Sequence, residues 1–426
     1  MKKSLGYYLA AGALFIAGLF CTVHSLAQGV SDLSNRINSA DSGDTIYIDA
    51  GTYTDVNVST NKKFARAVVI RPKVLGAVTF TGAVSFKLNN SSNIKFEGFI
   101  FRETSGSVFL FNNSNNIEIA NNYFYKCGIN PNHSIIRIVN GSGDNKIDFN
   151  TFEDTRSQAV LIGTYANKAA DRLNTGNKIF RNRFCNVKSI QELYPSMGKN
   201  GLEQIVIGFL PDYVLKTDVY QNLFENIIGD GWEVISNKSS GNTIRENTFL
   251  NCKSGLSIRG GSNVKIIDNY LDNAEKGIRI FGDGHTINNN YILNSDVGIR
   301  LPSTDFQTGA KALFTGYYQQ DNVSISDNFI INPKSSDILM GENGRKLKPK
   351  GIRIAGNRIY YSNKKQILKA NKNLSIKSIA DNQYVASESG VTGSTNTKSI
   401  WFARIADTNK LQPFVSNDAR VGKTWK

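Results

Sequence analysis

Asn247-Thr-Phe-Leu-Asn-Cys-Lys-Ser-Gly-Leu-Ser-Ile-Arg-Gly-Gly-Ser-Asn-Val-Lys-Ile-Ile-Asp-Asn269-Tyr-Leu opens and closes on one phrase: Asn, any residue, then a large apolar side chain. Between the two copies, short runs alternate apolar with polar residues and are broken by glycines, the pattern of strands joined by turns. The phrase recurs outward as Asn122-Tyr-Phe, Asn150-Thr-Phe, Asn182-Arg-Phe, Asn222-Leu-Phe, Asn290-Tyr-Ile, Asn328-Phe-Ile and Asn357-Arg-Ile. From Asn222 to Asn247, Asn269 and Asn290 the steps are 25, 22 and 21 residues. That period predicts an all-β, single-domain right-handed parallel β-helix, because one coil cannot bury its own apolar face whereas stacked coils bury a continuous one. The asparagines are expected at one corner, in the left-handed turn conformation, bonded to one another as a ladder.

Towards the amino terminus, Val30, Leu33 and Ile37 fall at helical spacing within Ser31 to Ala40, predicting a short N-terminal capping helix. Before it, Lys2 and Lys3, an apolar run from Tyr7 to Phe20 and the small-residue site Ser25-Leu26-Ala27 read as a signal peptide over 1–27. A secreted or periplasmic chain beginning near Gln28 is expected. Cys21 offers lipidation as an alternative, which the bulky Phe20 disfavours, and stable membrane insertion is not expected. The β-helix is expected over 28–385, with 386–426 as a tail packed on it and the whole a monomer. Cys127, Cys185 and Cys252 are an odd set, expected as buried apolar side chains and not as a disulfide framework.

The formal charge of +15, from 50 Lys+Arg against 35 Asp+Glu, suits a polyanionic partner. No zinc spacing, basic helix or aromatic RNA-binding signature accompanies it, so nucleic acid is not the expected partner. Two long steps in the repeat mark insertions, which in solenoids gather on a binding face. One, Gln191 to Asp212, has Tyr194, Lys199, Asn200 and Tyr213 in or beside it; the other, Thr304 to Asn322, carries Phe306, Tyr317 and Tyr318.

Aligning coils on Gly231, Gly255, Gly277 and Gly298 puts Trp232/Val234, Leu256/Ile258, Ile278/Ile280 and Ile299/Leu301 inward. Glu233, Ser257, Arg259, Arg279 and Arg300 then face outward. Lys238 precedes Arg259 by 21 residues, about one coil, so the two are expected side by side. A row of exposed cations is ordinarily a solvated face. Three cations with a carboxylate between two insertions point to an anion-binding cleft.

These residues carry a family resemblance. Glu233-Val-Ile-Ser-Asn237-Lys238-Ser, then Arg259-Gly, then Gly277-Ile-Arg279-Ile and Gly284-His285 resemble the chondroitinase B and alginate lyase family of parallel β-helix polysaccharide lyases, polysaccharide lyase family 6. Asn200-Gly-Leu-Glu203-Gln-Ile-Val-Ile-Gly208 is similar to that family's Asn-Gly-x-Glu-x-Ile-Arg-Ile-Gly segment.

The resemblance implies cleavage of an acidic polysaccharide by β-elimination. Alginate is the first expectation and dermatan or chondroitin sulfate the second. Lys238 would be the base that removes the C5 proton of a uronic acid, and Arg259 would assist protonation of the departing O4. Arg279, Arg300, Asn237, Tyr194 and His285 would bind substrate, and Glu233, Asn200 and Glu203 would hold Ca²⁺. The chain departs from the pattern where Gly231 replaces a second calcium-binding Glu, leaving Asp230 as substitute, and where Gly260 stands in an Arg-His-Gly motif. A β-helix that binds acidic glycans without cleaving them is the competing class, with a hydrolase third.

Overall fold

The computed structural model describes residues 30–131, 133–164, 169–198, 200–307, 317–361, 368–370, 374–386 and 421–424. Residues 1–27, expected as a signal peptide, with Cys21 among them, and most of the tail over 386–426 lie outside them.

Three parallel sheets run the length of the molecule, two of 13 strands and one of 12 among the described residues. Each coil contributes one strand to each sheet, and each strand pairs with the strand one coil earlier and one coil later. This is the expected parallel β-helix. The short helix Leu33–Ser39 closes its first coil, burying Leu33 and Ile37. Inside, aromatic side chains stack in register from coil to coil: Phe101, Phe124, Phe152, Phe184, Phe224 and Phe249 lie 4.6 to 4.9 Å apart, ring above ring. That spacing is the separation of hydrogen-bonded strands, so the backbone period dictates the packing of the core.

The asparagine ladder is present, but its backbone differs from expectation. Asn122, Asn150, Asn182, Asn222, Asn247, Asn269, Asn290, Asn328, Asn357 and Asn382 form one chain in which each side-chain amide donates to the next carboxamide oxygen at 2.9–3.1 Å. None of them has positive φ. The left-handed residue is the one before: Asn121, Phe149, Arg181, Gln221, Glu246, Asp268, Asn289, Asp327, Gly356 or Asp381. Turning the corner one residue early aims the asparagine inward, where its oxygen also accepts the backbone N–H of the preceding ladder asparagine.

Cys127, Cys185 and Cys252 are free and buried. Burial pushes their thiols up, to about 11 for Cys127 and about 12 for the other two, so they remain protonated packing groups. Residues 421–424 lie on the outside of the second sheet. Val421 packs on Leu223, and the Gly422 N–H donates to the Arg181 carbonyl. No helix among the described residues is long and apolar enough to cross a membrane.

Candidate active site

The site sits on the third sheet, over the strands Ile205–Ile207, Glu233–Asn237, Gly255–Ile258, Ile278–Ile280 and Val297–Leu301. Register places Ser236, Ser257, Arg279 and Arg300 in one outward row. Leu256, Ile258, Ile278, Ile280, Ile299 and Leu301 are buried in the core, as the alternation requires. One coil breaks the alignment: Glu233 pairs with Gly255 but Ile235 pairs with Leu256, so the strand carries a bulge. A bulge offsets the inside–outside alternation by one residue. Trp232, expected inward, is therefore 44% exposed, and Glu233 leaves the outward row to turn into a buried pocket beside it.

That pocket collects three carboxylates. Glu203, Asp230 and Glu233 are all buried and place oxygens within 4.8 Å of one another. Asp230 is held by the backbone: its Oδ1 accepts the N–H groups of Trp232 and Glu233, each at 2.8 Å. Gly231 between them has φ +78°, and a side chain there would meet nothing within 4 Å. Asp230 thus enters the pocket from the position just before Gly231. Glu203 Oε2 accepts from Gln158 Nε2 at 2.9 Å. Glu233 Oε1 accepts from Arg279 Nη2 and lies 3.7 Å from Arg259 Nε, whereas Glu233 Oε2 is buried with no hydrogen-bond partner.

Burial, Glu203 and Glu233 together push the Asp230 carboxyl far above the ordinary carboxylate range. A hard divalent cation satisfies such a set, and the orphaned oxygen of Glu233 is the observation that says these residues fit one. Asn200, the third expected ligand, is exposed.

Lys238 and Arg259 come together across adjacent coils, the Arg259 N–H donating to the carbonyl of Asn237 at 2.7 Å. Lys238 Nζ lies 5.2 Å from the centre of the Phe209 ring and forms no ion pair with a described residue. Burial pushes its pKa down; Glu203 opposes this, Arg259 adds to it, and Glu233 and Asp230 oppose it less strongly. For Arg259, burial disfavours the charge but Glu233, Tyr317, Glu203 and Asp230 outweigh it, leaving the guanidinium above its ordinary value. Its Nη2 donates to the Tyr317 hydroxyl at 2.9 Å. Gly260 leaves a small gap walled by Tyr318 and Pro211, at 3.5 and 3.9 Å from where a Cβ would stand.

Arg279 and Arg300 line a cleft of about 220 Å³ with Trp232, Phe281, Tyr317 and Arg345. Arg300 is also paired with Asp296 and Glu342, at 3.0 and 3.2 Å. Three residues expected at the substrate have their polar atoms engaged in the fold. Asn237 is fully buried, donating to the carbonyls of Ser239 and Gly260 and accepting from Asn242. His285 is buried, accepts the Val264 N–H at Nδ1, and is pushed down by burial to about 4, so it stays neutral. The Tyr194 hydroxyl lies 2.8 and 2.9 Å from the carbonyls of Ile129 and Arg156, pinning the first insertion to earlier coils. The sequence marks Asp230 only as a substitute and Tyr317 only as an aromatic of the second insertion; neither follows the repeat that exposes Lys238 and Arg259.

The chondroitinase B family model matches residues 27–414. A family 6 polysaccharide lyase of Pseudopedobacter saltans has TM-score 0.75 at 22% identity, over 93% of this chain and 98% of its own. A mannuronic acid specific family 6 lyase from human gut microbiota has TM-score 0.74 at 21% identity, over 94% of this chain and 96% of its own. An alginate lyase in complex with G6 has TM-score 0.66 at 20% identity, over 84% and 82%. No curated protein matches at comparable significance.

Proposed function

Since the chain belongs to the chondroitinase B family of parallel β-helix polysaccharide lyases, we propose that it cleaves a uronate-containing polysaccharide, alginate first, by β-elimination. The observation that carries this reading is Lys238: a lysine without an ion pair among the described residues, its pKa depressed mainly by burial, one coil from an arginine and beside three carboxylates. A lysine serves as a base only when its proton affinity is lowered towards the working pH. Lys238 takes the C5 proton, the released electron pair forms the C4=C5 double bond, and the C4–O4 bond breaks. Arg259 stabilises the charge that builds on the departing O4 and assists its protonation.

Glu203, Asp230 and Glu233 would hold Ca²⁺, with Asp230 standing for the ligand lost at Gly231. Such an ion supplies positive charge against the uronate carboxylate and so makes the C5 proton more acidic. Trp232, Arg279, Arg300 and Arg345 offer an aromatic face and three guanidinium groups to the neighbouring acidic sugar units. Dermatan sulfate is the second candidate, favoured by Arg345, which brings a third guanidinium suited to a sulfate. The segment 1–27 supports export to the periplasm or beyond the cell.

The test is the ultraviolet absorbance of the unsaturated product on alginate, its mannuronate and guluronate blocks, and dermatan and chondroitin sulfates, with and without Ca²⁺. Product from at least one substrate, abolished in Lys238→Ala, is expected. Affinity for these glycans without product would replace the lyase reading with the binding one, and saturated products would mean a hydrolase.

A further inference from the structure

Tyr317 stands where the elimination needs a second proton-transfer group. The second insertion brings it over the third sheet, half-buried, with its ring 4.6 Å from that of Phe281. Its ring centre lies 4.8 Å from the Arg259 guanidinium, 5.5 Å from that of Arg345 and 6.0 Å from that of Arg279. Its oxygen accepts the 2.9 Å hydrogen bond from Arg259 Nη2, which leaves its own O–H proton to donate. Among the described residues no acceptor takes that proton, and the side chain lines the same cleft as Trp232 and Arg279.

Departure of O4 requires a proton as well as charge stabilisation. A guanidinium stabilises negative charge well and releases protons poorly, since it is not deprotonated in proteins. A phenol bonded to a guanidinium has the complementary property: its proton is transferable, and the phenolate left behind is stabilised in place.

We propose that Tyr317 is the catalytic residue that donates the proton to the departing O4, with Arg259 holding the phenolate that results. The proposal rests on the β-elimination reading and deepens it. The step balances. Lys238 gains the C5 proton, the C5–H pair becomes the C4=C5 bond, the C4–O4 pair leaves on oxygen, and that oxygen takes the Tyr317 proton. Lys238 then loses one proton to water and Tyr317 regains one, so no co-reactant is consumed.

Tyr317→Phe keeps the ring, its contact with Phe281 and the stacking with three arginines, and removes only the hydroxyl; circular dichroism and melting temperature check that the fold is intact. On the polysaccharide cleaved by the wild type, kcat is expected to fall roughly 10²–10⁴-fold with KM changed by less than about threefold. On a synthetic uronide whose C4 substituent is a nitrophenol, which leaves without a proton, the variant is expected to keep its rate within about fivefold of wild type. A Tyr317→Phe enzyme with near wild-type kcat on the polysaccharide, or with equal losses on both substrates, overturns the proposal while leaving the lyase reading intact. A wild type that yields no unsaturated product from any uronate polymer overturns both.

Discussion

At Lys238 the pH dependence has a definite sign. The base must be neutral, so the rate climbs as pH rises through its pKa, and burial places that climb below the range of an ordinary lysine. Phe209→Ala admits water to the Nζ that now faces the ring, weakening the largest cause of the depression. The low-pH limb of kcat/KM should therefore move to higher pH, and an unmoved limb would mean that burial does not set it. At Asp230 the sign concerns the metal: a carboxyl whose proton is held by burial and, after it, by Glu203 and Glu233 must release that proton to bind Ca²⁺. Calorimetry should show calcium affinity rising with pH through neutrality with proton release, and Asp230→Asn should weaken it by more than about tenfold. Identical binding by the variant would remove Asp230 from the site. The adjacency of Lys238 and Arg259 was legible in the sequence because the two stand about one coil apart, whereas Glu233 was expected in the outward row from which the bulge removes it. Tyr317 was legible only as an aromatic in an insertion, since insertions have no period and the loop's return to Arg259 is a tertiary fact.

At the scale of the strand and its corner, the repeat supplied the existence of the ladder and left its geometry open. Corner residues as different as Phe149, Arg181, Gln221 and Glu246 adopt the left-handed conformation, so residue type alone did not mark it. The ladder asparagine next door over-determines each corner with two hydrogen bonds per step. Asn247→Ala leaves the backbone N–H of buried Asn222 without its acceptor, while the Asn222 side-chain amide keeps the carbonyls of Ile179 and Tyr220. The expected loss is about 1–3 kcal/mol for the orphaned backbone donor, read from the midpoint of urea unfolding. A shift no larger than for an exposed substitution would assign the ladder no stabilising role. Gly255→Ala is expected to destabilise as well, because a Cβ there would come within 2.2 Å of the Gly277 carbonyl. The Glu233–Ile235 bulge is the feature that glycine alignment missed: a single additional residue in one strand has no compositional signature, and its result was the misplaced Trp232.

For the whole molecule, the excess of 15 positive charges draws a polyanion towards the cleft from a distance that salt shortens. Apparent KM for the polysaccharide should rise with ionic strength while kcat changes little, and a KM indifferent to salt would confine recognition to the cleft itself. The fold at this scale was the most legible property of the chain, because stacking imposes one spacing on every coil and the spacing is written into the asparagine steps. The bulge adds a consequence for how such a molecule changes over generations. In each sheet a strand pairs through its backbone only with the strand one coil before and one coil after, so a one-residue insertion is absorbed where it occurs and the register resumes on the next strand. Natural selection can thus trial a new side chain over the cleft by lengthening a single strand. Lineages of this architecture can diverge in the sugar they attack without renegotiating the scaffold that presents it.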